Sequence, residues 1–167
     1  MGIYDYLAIG TLVLAILVNT LTVYSHRRWG IYARFDQRAW VVHQLVLTMF
    51  WGLAVAAGFL LQRSEFVLER QYPVFGGLIM IAAVVLFTAA IKQIGAQGLG
   101  NGNFFGQPVR KLRGVYLWME SPIYISYVMW YAGLMAATAH ITFGIMSLIS
   151  VIGLLGIESK IESINKP

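Results

Sequence analysis

The amino-acid sequence predicts an all-α integral membrane protein with about five transmembrane helices. Of its 167 residues, 59% are hydrophobic and only 11% are charged, whereas soluble domains are about 45–50% apolar and about 25% charged. The apolar residues cluster in runs close to the roughly 20 residues that a helix needs to cross a bilayer. None of these runs alternates between apolar and polar residues as a transmembrane barrel strand does.

The predicted spans follow one another as a single membrane domain over residues 1–167. The five apolar runs are Ile3–Tyr24, Ala39–Leu61, Val74–Ile91, Ile123–Ala139 and Ile141–Ile157. The last two are short and meet at "AHIT", so they form either two short spans or a tight helical hairpin. The first run is expected to be retained, because the N-terminal stretch holds Asp5 and no Lys or Arg, and no small-residue cleavage site follows the run. The chain thus divides into three N-terminal spans over 1–94 and a second region over 95–167.

The basic residues predict the orientation of these spans. Ten of the twelve fall in segments that share one side of the membrane: Arg27, Arg28, Arg34, Arg38, Lys92, Arg110, Lys111, Arg113, Lys160 and Lys166. Arg63 and Arg70 fall on the other side, where Glu65 and Glu69 balance them. Because cytoplasmic loops carry the excess of Lys and Arg, the N-terminus is predicted outside and the C-terminus inside. The net charge of +5 therefore reflects topology and does not indicate nucleic-acid binding. The same basic face is suited to anionic lipid headgroups.

Two predicted cytoplasmic segments hold the polar residues suited to chemistry. The first is the 95–122 connection, which contains Gly95, Gly98, Gly100, Gly102 and Gly106. The third helix is expected to end near Gly95 or Gly98, as helices often do at glycine. The second segment is the tail, with Glu158 and Glu162. Since the short hairpin returns the chain, Glu120 and Glu158 are predicted at the same depth on neighbouring helix ends.

The start of the fourth helix has a purely structural interpretation. Proline is favoured in the first turn of a helix, serine at the N-cap, and an acid beside the positive end of the helix dipole. These preferences account for Glu120, Ser121 and Pro122, but not for Tyr124 or Glu158.

The chain contains no cysteine, and no His and carboxylate pair has metal-ligand spacing, so no metal site is predicted.

A glycine-containing connection, the segment "ESPIYISYVMWYAG", a short hairpin and a closing glutamate stand in this order. This arrangement resembles the intramembrane methyltransferases that include isoprenylcysteine carboxyl methyltransferase and phosphatidylethanolamine N-methyltransferase. The resemblance covers roughly residues 95–162, where Pro122 and Tyr124 match a Pro-x-Tyr element and Gly133 matches a small residue. The segment "GNGNFFG" is similar to a Gly-Asp-Tyr-Phe-Gly stretch of the phospholipid enzymes, with residues 102–106 in register.

The resemblance implies an S-adenosylmethionine pocket at the cytoplasmic face of the membrane and a lipid or lipid-linked headgroup as substrate. A phospholipid amine fits the resemblance better than a prenylated cysteine does, because the segment "GNGNFFG" is similar to the phospholipid enzymes. The implied cofactor-binding residues are Gly98, Gly100, Gly102, Asn103, Pro122, Glu158 and Glu162. Tyr124 belongs to the implied catalytic centre. Glu120 is assigned there from its position as the nearest acceptor for the proton that a lipid amine must lose.

Two departures from the family pattern support an alternative hypothesis. Glu120 and Ser121 stand where the family has a basic or amide residue, and Ser159 replaces the second of two adjacent glutamates. The alternative is a non-catalytic membrane scaffold or accessory subunit that keeps the fold with a degenerate cofactor site. A fold-related membrane reductase ranks below both, because its fuller nucleotide-binding C-terminal region has no counterpart in this tail.

Overall fold

The described part of the chain is a bundle of helices. The computed structural model describes residues 1–35, 37–60, 66–99, 114–158 and 160. The helices are α1 (Ile3–Trp29), α2 (Gln37–Leu60), α3 (Pro73–Leu99), α4 (Pro122–Thr138) and α5 (Ile141–Ser150), and α5 continues as a π-helix over Val151–Glu158. Short 3-10 turns cover Ile31–Arg34 and Gly114–Leu117. Within these ranges the only strand-like feature is an isolated bridge between Val67 and His140.

The helices have the length and surface of membrane spans. Among the described residues, three segments are long and apolar enough to cross a bilayer: Ile3–Trp29, Pro73–Gly95 and Ile141–Glu158. Large apolar side chains such as Val74, Leu78 and Ile81 lie exposed on the outside of the bundle, where lipid would cover them. The prediction of an all-α integral membrane protein is therefore confirmed. Each of the five predicted runs coincides with a helix, while five complete spans and their orientation stay predictions.

Helix α5 and the π-helix form one continuous helical segment over Ile141–Glu158, which we call the α5–π rod. Helix α1 packs parallel to this rod, and we call the contact between them the seam. Asp5 at the start of α1 contacts Thr142 at the start of α5. Further along, a Cβ on Gly153 would collide with the Ile16 side chain, so Ile16 packs directly against the backbone of the π-helix there. At the far end, Asn19 contacts Glu158. We call the Asp5 end the first pole of the bundle and the Glu158 end the second pole.

At the first pole, the connection before α3 is hydrogen-bonded to the turn between α4 and α5. The Leu68 N–H donates to the Ala139 carbonyl at 2.9 Å, and the Ile141 N–H donates to the Phe66 carbonyl at 3.1 Å. Ala139 has a left-handed backbone with φ of 60°, which ends α4 and reverses the chain. These bonds pair backbone groups of the turn with those of the segment before α3, so that neither is left unsatisfied. The hairpin at "AHIT" is therefore a tight turn held in place by a second segment.

The packing of α3 on α4 depends on two glycines. A Cβ at Gly76 would lie 2.4 Å from the Ala137 backbone nitrogen and 2.5 Å from the Gly133 carbonyl oxygen. A Cβ at Gly133 would in turn lie 2.9 Å from the Gly76 carbonyl oxygen. Small residues let membrane helices approach closely, and van der Waals packing then supplies much of their association. The two helices thus meet backbone to backbone.

The regular part of α3 ends where the glycine pattern predicts. Gly95 has φ of 76° and ψ of 166°, which are not helical values, and the helical residues beyond it form a separate short continuation. A positive φ is readily adopted only by glycine. Gly95 therefore redirects the chain at the second pole, at the point where the polar 95–122 connection begins.

Replacing Gly76 and Gly77 separately by alanine should have opposite effects on stability. Gly76→Ala should destabilise the bundle by about 1–3 kcal/mol, because the new methyl group meets backbone atoms of α4 that cannot move away. Gly77→Ala should be neutral or stabilising by up to about 1 kcal/mol, since its Cβ would meet open space and alanine favours helix. Thermal unfolding in detergent measures both. Equal losses at the two positions would contradict the close contact between α3 and α4.

Candidate functional site

The fourth helix begins at the second pole as the sequence predicts. Ser121 occupies the N-cap position and Pro122 the first turn. The side chain of Ser121 makes no capping hydrogen bond to the helix, so its expected role as a capping group is not realised, although its position is correct. Pro122 is buried, whereas Glu120, two residues earlier, is exposed. Glu158, the other acid predicted near this helix start, is buried. The two acids therefore have different environments.

Glu158 is a fully buried carboxylate that accepts hydrogen bonds from two other helices. The Tyr124 hydroxyl on α4 and the Asn19 amide on α1 both donate to its Oε1. The Thr20 hydroxyl, also on α1, donates to Oε2 at 3.4 Å. A buried charge is costly unless it is hydrogen-bonded, and acidic residues within spans usually face the bundle interior and pair there. Glu158 therefore links α1, α4 and the π-helix at the second pole.

The π-helix explains how Glu158 comes to face α1. Buried residues recur every fourth position along this rod: Thr142, Met146, Ser150, Leu154 and Glu158. An α-helix turns about 100° per residue, so a four-residue repeat over sixteen residues would drift about 160° around the helix. The wider turn of a π-helix opposes this drift over Val151–Glu158. Such π segments are frequent at functional sites, and here the segment ends on the buried acid.

An aromatic cluster lies on α4 next to this acid. Tyr127 stacks on Trp51 of α2 with ring centroids 4.6 Å apart and planes 13° apart. Phe87 of α3 contacts the same tyrosine with centroids 5.7 Å apart. Aromatic contacts of this kind stabilise by about 0.5–1.5 kcal/mol beyond the area that they bury. The cluster joins α2, α3 and α4 one helical turn from Tyr124, and so fixes the part of α4 that carries the site.

A second buried carboxylate lies at the opposite pole. Asp5 is fully buried and accepts hydrogen bonds from the Gly2 N–H and the Thr142 hydroxyl, each at 2.5 Å. The arrangement mirrors that of Glu158, with the acid on α1 and the hydroxyl on α5. From the sequence, Asp5 served only as evidence against a signal peptide. Its structural role was missed because its partner lies 137 residues away.

The predicted site residues fall into three groups. Pro122, Tyr124 and Glu158 meet at the second pole, and Glu120 lies exposed beside the same helix start. Gly98 lies in the continuation of α3 beyond Gly95. Four others lie outside the described residues: Gly100, Gly102, Asn103 and Glu162. The assignments to cofactor binding and catalysis stay predictions, since no ligand tests them.

Sequence reasoning missed Asn19 and Thr20. The signal was the polar interruption "NTLT" over residues 19–22, inside the first apolar run. Polar residues at such a depth usually face the bundle interior, and Thr22 satisfies its own hydroxyl by donating to the Val18 carbonyl. The interruption indicated an inward face of α1, but only the structure identifies Glu158 as the group that this face contacts.

A family model for phospholipid methyltransferases matches residues 72–163, which is more than half of the chain. The chain belongs to the phospholipid methyltransferase family. The match begins at Tyr72, so it includes α3 as well as the 95–162 region in which the resemblance was expected. No curated protein and no solved structure shows a significant match to the chain. Helix α1 lies outside the segment that matches the family model, although it supplies two hydrogen-bond donors to Glu158.

Tyr124→Phe should destabilise this family member by about 1.5–3 kcal/mol, because it removes a hydrogen bond to a charged group and leaves Glu158 buried. The ring and its packing are retained, so the effect isolates the hydroxyl. Tyr127→Phe is the matched control on the same helix, since its stacking on Trp51 survives the change. Thermal unfolding in detergent should show a clearly larger loss for Tyr124→Phe. Equal losses would mean that the Tyr124 hydroxyl does not hold the acid.

Proposed function

We propose that this protein transfers a methyl group from S-adenosylmethionine to a lipid or lipid-linked headgroup, in particular a phospholipid amine, at the cytoplasmic face of the membrane. The observation that carries the proposal is the hydrogen bond from half-buried Tyr124, in the first turn of α4, to the buried Glu158. This pair lies inside the segment that matches the phospholipid methyltransferase family. It also joins the two elements that the family resemblance assigns to the cofactor.

The residues at the second pole suit the cofactor chemically. Its amino group and ribose hydroxyls need acceptors, and a carboxylate offers about four acceptor positions on two oxygens. We assign Glu158 to this role, and we assign Tyr124 beside it to the catalytic centre. The other residues assigned to cofactor binding are Gly98, Gly100, Gly102, Asn103, Pro122 and Glu162. When bound, S-adenosylmethionine supplies a methyl group on a sulfonium, and the sulfur takes the bonding electron pair as the methyl group leaves.

The protein's own contribution is position and proton handling. Orienting two reactants in one site contributes on the order of 7–11 kcal/mol to lowering a barrier. A protonated lipid amine must also lose a proton before its nitrogen can attack. Glu120 is exposed beside the α4 start, so its carboxylate is accessible to the headgroup and to water. We assign Glu120 as the acceptor of that proton, which then leaves to solvent.

The cytoplasmic side is inferred from the charges at the second pole. Arg27, Arg28 and Arg34 lie at or just beyond the end of α1, on the same side as Glu158. Arg70 lies in the segment bonded to the α4–α5 turn at the first pole. This distribution follows the rule that positive charges stay in the cytoplasm, and it supports a site that opens to the compartment holding the cofactor.

The competing candidate is a non-catalytic scaffold that retains the fold. One observation favours it: both oxygens of Glu158 already accept hydrogen bonds from the protein itself. A scaffold would use this acid only to hold helices together. A titration of purified protein with S-adenosylmethionine separates the two candidates, because a scaffold gives no saturable binding.

Glu158→Ala and Glu120→Gln should affect different steps of the reaction. Glu158→Ala should abolish cofactor binding, because it removes the acceptor for the cofactor's polar groups. Glu120→Gln should retain binding and lower methyl transfer to a phospholipid amine by about 10²–10⁴-fold at neutral pH, the range for general acid–base groups. Labelled S-adenosylmethionine with ethanolamine-headgroup vesicles measures both steps. Unchanged transfer by Glu120→Gln would remove Glu120 from the site, and saturable binding by Glu158→Ala would remove Glu158.

A further inference from the structure

The inner face of α1 contacts the proposed site acid directly. Asn19 and Thr20 are consecutive residues, and they approach different oxygens of the Glu158 carboxylate. Asn19 shares Oε1 with Tyr124, while Thr20 contacts Oε2 at 3.4 Å. Donors on both oxygens fix the last torsion of a glutamate side chain, which is otherwise broad. The orientation of this carboxylate therefore depends on α1 as well as on α4.

These two donors lie outside the segment that defines the family. The match begins at residue 72, more than fifty residues after Thr20. Within the match, Tyr124 and Glu158 are 34 residues apart, whereas Asn19 and Glu158 are 139 residues apart. The parallel seam between α1 and the α5–π rod closes that separation. It places a polar pair of α1 at the depth where the acid ends the π-helix.

We propose that α1 forms part of the methyl-transfer site, with Asn19 and Thr20 as positioning residues that hold the Glu158 carboxylate beside Tyr124. This role rests on the proposed function. An acid that is fixed before the ligand arrives does not lose side-chain freedom on binding, so preorganisation increases affinity. Asn19 and Thr20 do not contact the reacting groups in this proposal. They act through Glu158.

The first pole supplies a matched control for this role. The Thr142 hydroxyl contacts the buried Asp5 carboxylate across the same seam, at the end away from Glu158. Removing that hydroxyl breaks an acid–hydroxyl contact between the same two rods. It leaves the second pole unchanged. Thr142→Val therefore reports what loss of a seam contact does by itself.

The experiment compares Asn19→Leu, Thr20→Val and Thr142→Val in the full chain in detergent. Each is assayed by thermal unfolding without ligand and by S-adenosylmethionine titration, and KM is measured for both the cofactor and an ethanolamine-headgroup lipid. All three should unfold at lower temperature than the wild type. Only Asn19→Leu and Thr20→Val should weaken cofactor affinity, for Asn19→Leu on the order of 10- to 100-fold, as expected for a lost bond to a charged group. Thr20→Ser keeps the hydroxyl and should keep the affinity, and KM for the lipid should stay constant throughout.

A reciprocal exchange tests whether the site needs the carboxylate on the π-helix or only an amide–carboxylate pair that attaches α1. The double variant Asn19→Asp with Glu158→Gln retains an amide–carboxylate pair, with its ends reversed between α1 and the π-helix. If the pair only attaches helices, the exchange should restore both thermal stability and cofactor affinity. If the carboxylate must lie on the π-helix beside Tyr124, stability should recover and affinity should stay reduced. Recovery of both would overturn the role of Glu158 as the cofactor's acceptor, and with it the positioning role of Asn19.

The remaining outcomes separate this proposal from the proposed function. Wild-type affinity in Asn19→Leu, or an equal loss of affinity in Thr142→Val, would overturn the role of α1 while leaving the methyltransferase intact. A wild-type protein that shows no saturable cofactor binding would overturn both. In that case the unfolding temperatures would still establish whether Asn19 and Glu158 stabilise each other, which is the scaffold result.

Discussion

A carboxylate buried among apolar helices must receive hydrogen bonds, and this requirement organises the second pole of the bundle. Glu158 is fully buried at the end of the last helical rod. Its donors come from two other helices, one early in the chain and one near the end. Each donor group fixes the distance between its helix and the π-helix. The acid is thus both the group best suited to ligand chemistry and the point at which three rods are aligned.

The rest of the bundle holds those rods rigidly enough for the contact to persist. Helices α3 and α4 approach each other closely at Gly76 and Gly133. The α4–α5 turn is bonded to the connection that leads into α3. Trp51 and Tyr127 stack where α2 meets α4. Because cores packed this closely transmit displacement instead of absorbing it, a change at one of these contacts would move Tyr124 relative to Glu158.

The sequence was sufficient for the helices and for placing Glu158 at the end of the bundle where α4 begins. Apolar runs of bilayer length can only be helices or barrel strands in a membrane, so each run predicted its helix. Pro122 marked the start of α4, and a hairpin between two apolar runs returned Glu158 to that end. Asn19, Thr20 and Asp5 could not be assigned, since their partners depend on which helices lie side by side and in which register. The π segment was also unpredictable, because no residue pattern in "VIGLLGIE" distinguishes it from an α-helix.

The parallel seam has a consequence for how the protein is made. During synthesis α1, with Asn19 and Thr20 on it, enters the membrane before the helix bearing Glu158, which follows more than a hundred residues later. Until that rod inserts, the polar face of α1 lacks the acid that it contacts in the finished fold. Insertion of the acidic end of the last rod is in turn favoured by donors that are already in the bilayer. The donors of α1 thus precede their acceptor into the bilayer, and the second pole is complete only when both helices have inserted.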